Sequence, residues 1–82
     1  MYFLLQYDRS DGQLVSNVEY SEESAKDAHH ERLRLELNHF RQKRDIEVVL
    51  LQASDLDALK TTHRRYFSTI RSLVDNMSRS AL

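Results

Sequence analysis

The chain contains no proline and a single glycine, Gly12, so the strongest signal for a sharp turn occurs at one place only. Gly12 follows Asp11, and an Asp-Gly pair supplies the positive φ angle that a tight β-hairpin requires. Apolar and aromatic residues flank the pair in the segments 2–7, YFLLQY, and 14–20, LVSNVEY. Both segments are typical of β-strands. The sequence therefore predicts a hairpin over residues 1–20.

A helix is predicted over residues 21–40. Ser21 can accept a hydrogen bond from a backbone N–H of the first turn, and the acidic residues at 22 and 23 complement the positive end of a helix dipole. Leu35 falls on the outer face of this helix. Apolar side chains recur at steps of three to five residues, and we expect them to share the face that packs on a sheet: Ala25, Ala28, Leu33, Leu37 and Phe40.

The second half of the chain predicts one more strand and a long helix. The segment 46–52, IEVVLLQ, contains four consecutive apolar residues, which is typical of a strand that is covered on both faces. Ser54, with Asp57 three residues later, resembles a capping box at a helix start. Nothing in the sequence stops the helix before the final residues, so it is predicted to span residues 55–78.

The element order ββαβα predicts a single α+β domain over residues 1–82. A hairpin followed by a right-handed helical crossover places the third strand beside the first. We therefore expect a three-stranded antiparallel sheet of order 3-1-2 with both helices on one face. This arrangement is similar to half of a ferredoxin-like fold.

The predicted C-terminal helix carries an apolar seam with the spacing 3, 4, 3, 4, 3, 4, which is a heptad pattern. A helix over 55–78 would extend ~36 Å, whereas strands of six or seven residues span ~20–23 Å. About ten residues would then overhang the sheet. The seam consists of Leu56, Leu59, His63, Tyr66, Ile70, Leu73 and Met77, and it is widened by Phe67 and Val74.

Large apolar side chains on an overhang form a patch that soluble monomers seldom expose. The sequence therefore predicts a homodimer that forms through the C-terminal helix. Two alternatives remain open: the first helix covers the seam within one chain, or the last helix frays after about residue 72. The predicted partner-binding residues are His63, Tyr66, Ile70, Leu73, Val74 and Met77.

Composition excludes several classes of site. The chain has no cysteine, so disulfides, thiolate nucleophiles and cysteine-based zinc sites are ruled out. The net charge of -1 argues against a dedicated nucleic-acid-binding protein. The charge is uneven, because residues 1–40 hold 4 Lys and Arg against 8 Asp and Glu, and residues 41–82 hold 8 against 5. The two halves can attract each other within one chain or between two copies.

Candidate catalytic and metal-binding motifs are incomplete. The segment HERLR, residues 30–34, would match a zinc motif if a second histidine stood at Arg34. Arg34 and His39 have a spacing similar to that in some helical ribonucleases, but five helical steps separate the two side chains by ~140°. The single glycine is used by the hairpin, so a glycine-rich phosphate loop is not available. We expect no catalytic residue, no metal, no cofactor and no enzyme activity.

The sequence thus predicts a small non-catalytic protein-interaction or regulatory module that binds itself and, as a further partner, another protein. The alternative is a nucleic-acid-binding regulator, because Lys60, Arg64 and Arg71 lie within ~40° of each other on a continuous helix. The apolar runs are too short for a signal peptide or a membrane span. A cytoplasmic protein without a membrane partner is therefore expected.

Overall fold

The computed structural model describes residues 1–67 and shows three strands and three α-helices in that range. The strands are β1 (Tyr2–Asp8), β2 (Gln13–Tyr20) and β3 (Ile46–Gln52). The helices are α1 (Ala25–Arg41), α2 (Leu56–Thr62) and α3 (Arg64–Phe67), and a 3-10 turn at Glu22–Ser24 precedes α1. The predicted α+β class is confirmed.

The three strands form one antiparallel sheet of order β2-β1-β3, in which β1 is central. A three-stranded antiparallel sheet was predicted, with the first strand in the middle. The hairpin closes through a short loop in which the Gly12 N–H donates to the Asp8 carbonyl at 2.9 Å. Gly12 has a φ of 68°, in the positive range that favours glycine. β2 contains one bulge, opposite the step from Gln6 to Tyr7.

The helices lie on opposite faces of the sheet, so the prediction that both pack on one face is wrong. Successive strand residues point to opposite faces. Leu5 belongs to one apolar cluster with Leu59 of α2 and Tyr66 of α3, whereas Gln6 contacts His39 of α1. Crossover handedness constrains the face that α1 takes, but the short connection after β3 lets α2 pack on either face.

α1 packs on the sheet through a different side from the predicted one. Ala28 is buried, as predicted, but Leu35 is half-buried where an outer position was expected. His39 is also buried on this side. Three predicted core residues are exposed to solvent instead: Leu33, Leu37 and Phe40. The prediction grouped apolar residues by their helical spacing, and that criterion selected the wrong side of the helix.

Contacts at both ends of α1 set its rotation. Before the helix, the Glu22 carboxylate accepts hydrogen bonds from the Gln52 side-chain amide at 3.1 and 3.3 Å. In its last turn, the His39 ring contacts the Gln6 side chain at 2.7 Å. Between these anchors, Ala28 is small enough to let the helix approach the sheet closely. The side that carries Ala28 and His39 therefore faces inward.

The C-terminal region is interrupted at His63, which corrects the prediction of one helix over residues 55–78. α2 ends at Thr62, and His63 adopts φ -126° and ψ 52°, outside the helical range. The hydroxyls of Thr61 and Thr62 donate to backbone carbonyls one turn earlier, at 2.9 and 3.0 Å. Such bonds, together with β-branching, weaken a helix. Asp55, rather than Ser54, caps α2 by accepting from the Ala58 N–H at 2.8 Å.

α1 ends in a Schellman motif whose left-handed residue is a lysine. The Arg44 N–H donates to the His39 carbonyl at 3.0 Å, and the Lys43 N–H donates to the Phe40 carbonyl at 3.2 Å. Lys43 has a φ of 55°, a conformation that glycine adopts without the steric cost of a Cβ atom. This position is therefore strained in the native sequence.

Replacing Lys43 with glycine should raise the free energy of unfolding by about 0.5–1 kcal/mol, because it relieves the left-handed strain. The greater freedom of glycine in the unfolded chain offsets part of the gain. Urea unfolding of the wild type and of Lys43→Gly measures the difference. As a control, His30→Gly on the exposed side of α1 should destabilise the fold by roughly 0.5 kcal/mol. A loss of stability in both variants would contradict the strain at Lys43.

Candidate interaction surface

The outer side of α1 carries a stripe of three large apolar residues, Leu33, Leu37 and Phe40, here called the outer stripe. Their spacing of four and three residues places them on one side of a helix. Leu33 is 54 % exposed, Leu37 46 % and Phe40 81 %. Single exposed apolar residues are common on protein surfaces, but a contiguous group on one helix side indicates a contact surface.

Ion pairs lie beside the outer stripe on α1. Arg32 and Glu36 approach to 3.7 Å, and the Arg34 Nε donates to the Glu31 carboxylate at 2.9 Å. The hydrogen bond from Arg34 holds the pKa of the Glu31 carboxyl below its usual value. An apolar centre with charged groups around it is the usual composition of a protein interface.

The two ends of α1 carry side chains of opposite charge, acidic at the start and basic at the end. These charges are opposite in sign to the dipole of α1 at each end. Exposed acidic residues cluster where the helix starts, at Glu22, Glu23 and Asp27. Exposed basic residues cluster where it ends, at Arg41, Lys43 and Arg44. A partner helix that runs antiparallel to α1 and has the same charge distribution would therefore be attracted at both ends.

An open groove of about 790 Å³ runs along the other flank of α1, between the helix and Tyr20 at the end of β2. The Arg34 side chain lines this groove, while His39 is buried against Gln6, so these two residues do not converge on one site. Among residues 1–67, no group of three metal-binding side chains comes together. The groove is lined by Tyr20, Lys26, Asp27, His30, Glu31 and Arg34.

His39 is a buried titratable residue between α1 and the sheet. It is 7 % exposed, and its Nε2 lies 2.7 Å from the Gln6 Oε1. Its Nδ1 has no hydrogen-bond partner among the described residues. Burial, and then the positive charge of Arg44, lower the pKa of His39. The neutral ring is therefore the form that fits the folded protein.

The sequence-predicted seam divides between the core and the undescribed part of the chain. Tyr66 is buried and contacts Tyr7 edge to face, with 5.5 Å between ring centres, and Arg65 lies 4.5 Å from its ring centre. His63 is half-buried, and its Nδ1 lies 2.8 Å from the Thr62 hydroxyl. The remaining predicted partner-binding positions lie outside the described residues: Ile70, Leu73, Val74 and Met77.

The predicted basic stripe is not continuous in the described part of the chain. Lys60 and Arg64 are exposed, but they belong to different helices on either side of His63. The Lys60 Nζ lies 5.9 Å from the ring centre of Phe67. Arg71 lies outside the described residues. The alignment that favoured nucleic-acid binding depended on an unbroken helix, and that premise does not hold at His63.

The outer stripe was not predicted as a surface, because its three residues were expected in the core. A signal was present, since α1 has a second side with helical spacing that contains Ala28, Leu35 and His39. Two possible faces on one helix indicate that one of them meets the sheet and the other meets solvent or a partner. Helical spacing alone does not distinguish the two.

No protein-family model, curated protein or solved structure matches this chain. Within residues 1–67, none of the helices has the length and apolar character that crossing a bilayer requires.

Acidification should destabilise the fold through His39. Because its pKa is lowered in the folded state, the unfolded chain takes up a proton first as the pH falls below the ordinary value of about 6.5. Stability is thus fully present above that value and declines below it, by at most ~1.4 kcal/mol per pH unit for one group. Urea unfolding between pH 7.5 and pH 5 measures the slope.

Two variants identify the group responsible for this slope. His39→Gln should flatten the dependence of stability on pH, whereas His30→Gln, at an exposed position, should leave it unchanged. The acidic groups with lowered pKa values, such as Asp8 and Glu31, act below this range. An unchanged slope in His39→Gln would show that His39 is not the responsible group.

Proposed function

We propose that this chain is a small non-catalytic protein-interaction or regulatory module that binds another polypeptide through the outer stripe. The observation that carries the proposal is the exposure of Leu33, Leu37 and Phe40 on one side of α1. Burial of these partly exposed side chains would contribute roughly 3–6 kcal/mol in total. Association costs about 4–15 kcal/mol in lost freedom, so the stripe has to act together with neighbouring surface.

Homodimerisation through the C-terminal helix is a separate hypothesis. Its main contacts, Ile70, Leu73, Val74 and Met77, belong to the part of the chain that the structure does not describe. Tyr66, another predicted contact, is used in the core of its own chain. The outer stripe lies wholly within the described residues and therefore supports the proposed function more directly.

A photoreactive amino acid introduced at position 37 tests the proposed function. In cells that produce the chain, this variant should form a covalent adduct with a polypeptide of defined mass, because Leu37 would lie in the interface. The same amino acid at Ser10, in the exposed hairpin loop, is the matched control and should give no such adduct. Mass spectrometry of the adduct identifies the partner. The absence of an adduct at position 37 would refute the proposal.

A further inference from the structure

We infer that the outer stripe and the free edge of β3 together form a two-fold symmetric interface with a second copy of this chain. This inference rests on the proposed function and names the partner at the same surface. The three stripe residues together expose at most ~600 Å², at ~200 Å² each, which is less than the ~800 Å² per partner of a standard interface. The additional surface is supplied by β3.

The two outer strands of the sheet differ in how well their edges are protected. Edge strands usually avoid pairing with other chains through bulges, charges or proline. β2 has a bulge and carries Glu19. β3 pairs with β1 without a register shift and is apolar except for Glu47 and Gln52. Two arginines, Arg9 and Arg65, approach the Glu47 carboxylate, so this charge is already paired.

The outer edge of β3 presents a regular set of backbone groups. The Asp45 carbonyl accepts from Arg9, and the Ala53 N–H donates to Met1, so odd-numbered residues in this segment point toward β1. In a strand, the residues between them direct their N–H and C=O groups to the other side. Within residues 1–67, no strand pairs with that side. The edge can therefore accept an antiparallel strand through Val48 and Leu50.

Leu33 and Phe40 lie on the flank of α1 that is closer to β3. The groove beside Tyr20 shows that Glu31 and Arg34 are on the flank closer to β2. At 100° per residue, Glu31 and Arg34 lie about 60° and 120° from Ala28 in one rotational sense. Leu33 and Phe40 lie about 140° and 120° from Ala28 in the other sense. Leu33 and Phe40 are therefore on the same flank of α1 as the free strand edge, with the Arg32–Glu36 ion pair between them, while Leu37, at 180°, points away from the sheet.

A second copy of the chain can contact the outer stripe and the free edge of β3 at the same time. Two β3 strands paired about a two-fold axis lie ~4.8 Å apart and make a six-stranded sheet. α1 lies above β3 and β1, so the two copies of α1 would be about 10 Å apart, close to the usual 8–10 Å between packed helices. The two copies of α1 would run antiparallel. Val49 is the middle of β3 and Leu33 the middle of α1, so one axis can pass near both.

The charges of α1 favour this arrangement over a parallel one. Antiparallel helices place the acidic start of one copy, with Glu23 and Asp27, beside the basic end of the other, with Arg41 and Arg44. The same attraction occurs twice because of the two-fold symmetry. The last described helix, α3, packs on the opposite face of the sheet from α1.

Single-cysteine variants test the geometry, since the native chain has no cysteine. Leu33→Cys should form an intermolecular disulfide under mild oxidation, because position 33 is close to the axis. Phe40→Cys should not form one. Position 40 lies seven residues from position 33, which is ~10.5 Å along the helix, so the two copies of position 40 are ~21 Å apart on opposite sides of the axis. A disulfide spans at most ~7 Å between Cα atoms. Non-reducing gel electrophoresis of the full chain measures both. Cross-linking at 40 without cross-linking at 33 would overturn the proposed axis.

Analytical ultracentrifugation tests the association itself. The wild type should be a dimer, and Leu33→Glu should raise its dissociation constant at least ~30-fold, because two glutamates would meet at the axis. Val15→Glu, at a similarly exposed apolar position on β2, is the matched control and should leave the dimer intact. Val48→Pro removes an outward N–H of β3 and should give a folded monomer by circular dichroism.

Three other results would contradict the inferred self-association through the outer stripe and β3. A wild type that stays monomeric at roughly 100 μM would overturn the inference. So would a dimer that tolerates Leu33→Glu and dissociates when Leu73 and Met77 are both replaced by glutamate, because that dimer uses the C-terminal segment. An adduct of position 37 with a different polypeptide would support the proposed function and overturn the self-association.

Discussion

The hydrogen bond between Gln6 and His39 is one of the long-range contacts that orient α1 on the sheet, together with the contact between Glu22 and Gln52. Gln6 lies on the central strand, where an unpaired amide beneath a helix would cost about 1–3 kcal/mol. His39 provides the partner, and its ring reaches Gln6 only if that side of α1 faces inward. Leu33, Leu37 and Phe40 then point away from the sheet. The exposed apolar surface thus lies on the side of α1 that faces away from this polar contact.

The central strand explains why a chain of this size can bury a core on both sides of one sheet. Phe3 and Leu5 face α2 and α3, while Leu4 lies on the side of α1, and all three are at most 2 % exposed. The outer strands are covered less completely, since every residue of β3 except Gln52 is half-buried. A small domain leaves a larger share of its surface in water than a large one does. Association is one way to reduce that share.

Sequence signals indicated the three strands and the crossover helix within residues 1–67, but not every boundary or face. Gly12 marked the hairpin, and the apolar run after residue 45 marked β3, because both signals are local. The interruption at His63 was missed, since the heptad spacing of the seam continues through it while Thr61 and Thr62 weaken the helix there. Leu56, Leu59 and Tyr66 of the seam face the sheet of their own chain, whereas His63 is half-buried and lies outside that cluster.

The candidate site was less predictable than the fold. The sequence indicated surplus apolar surface and self-association, and it assigned that surface to the C-terminal helix. In the described part of the chain, the surplus lies on α1, on residues that had been counted as core. Helical spacing grouped Phe40 with the predicted core, yet it is 81 % exposed. Spacing is a property of one helix, whereas exposure depends on which neighbours the tertiary structure supplies.

The sequence by itself determined the α+β class, the hairpin at Gly12, the presence of a crossover helix and the lack of cysteine chemistry, because each depends on residue type and local spacing. Only the tertiary structure decided the rotation of α1 and the face that α2 covers. Both depend on contacts between residues far apart in the chain, such as Gln6 with His39 and Glu22 with Gln52. Periodicity shows that a helix has two sides, but long-range partners decide which side is buried.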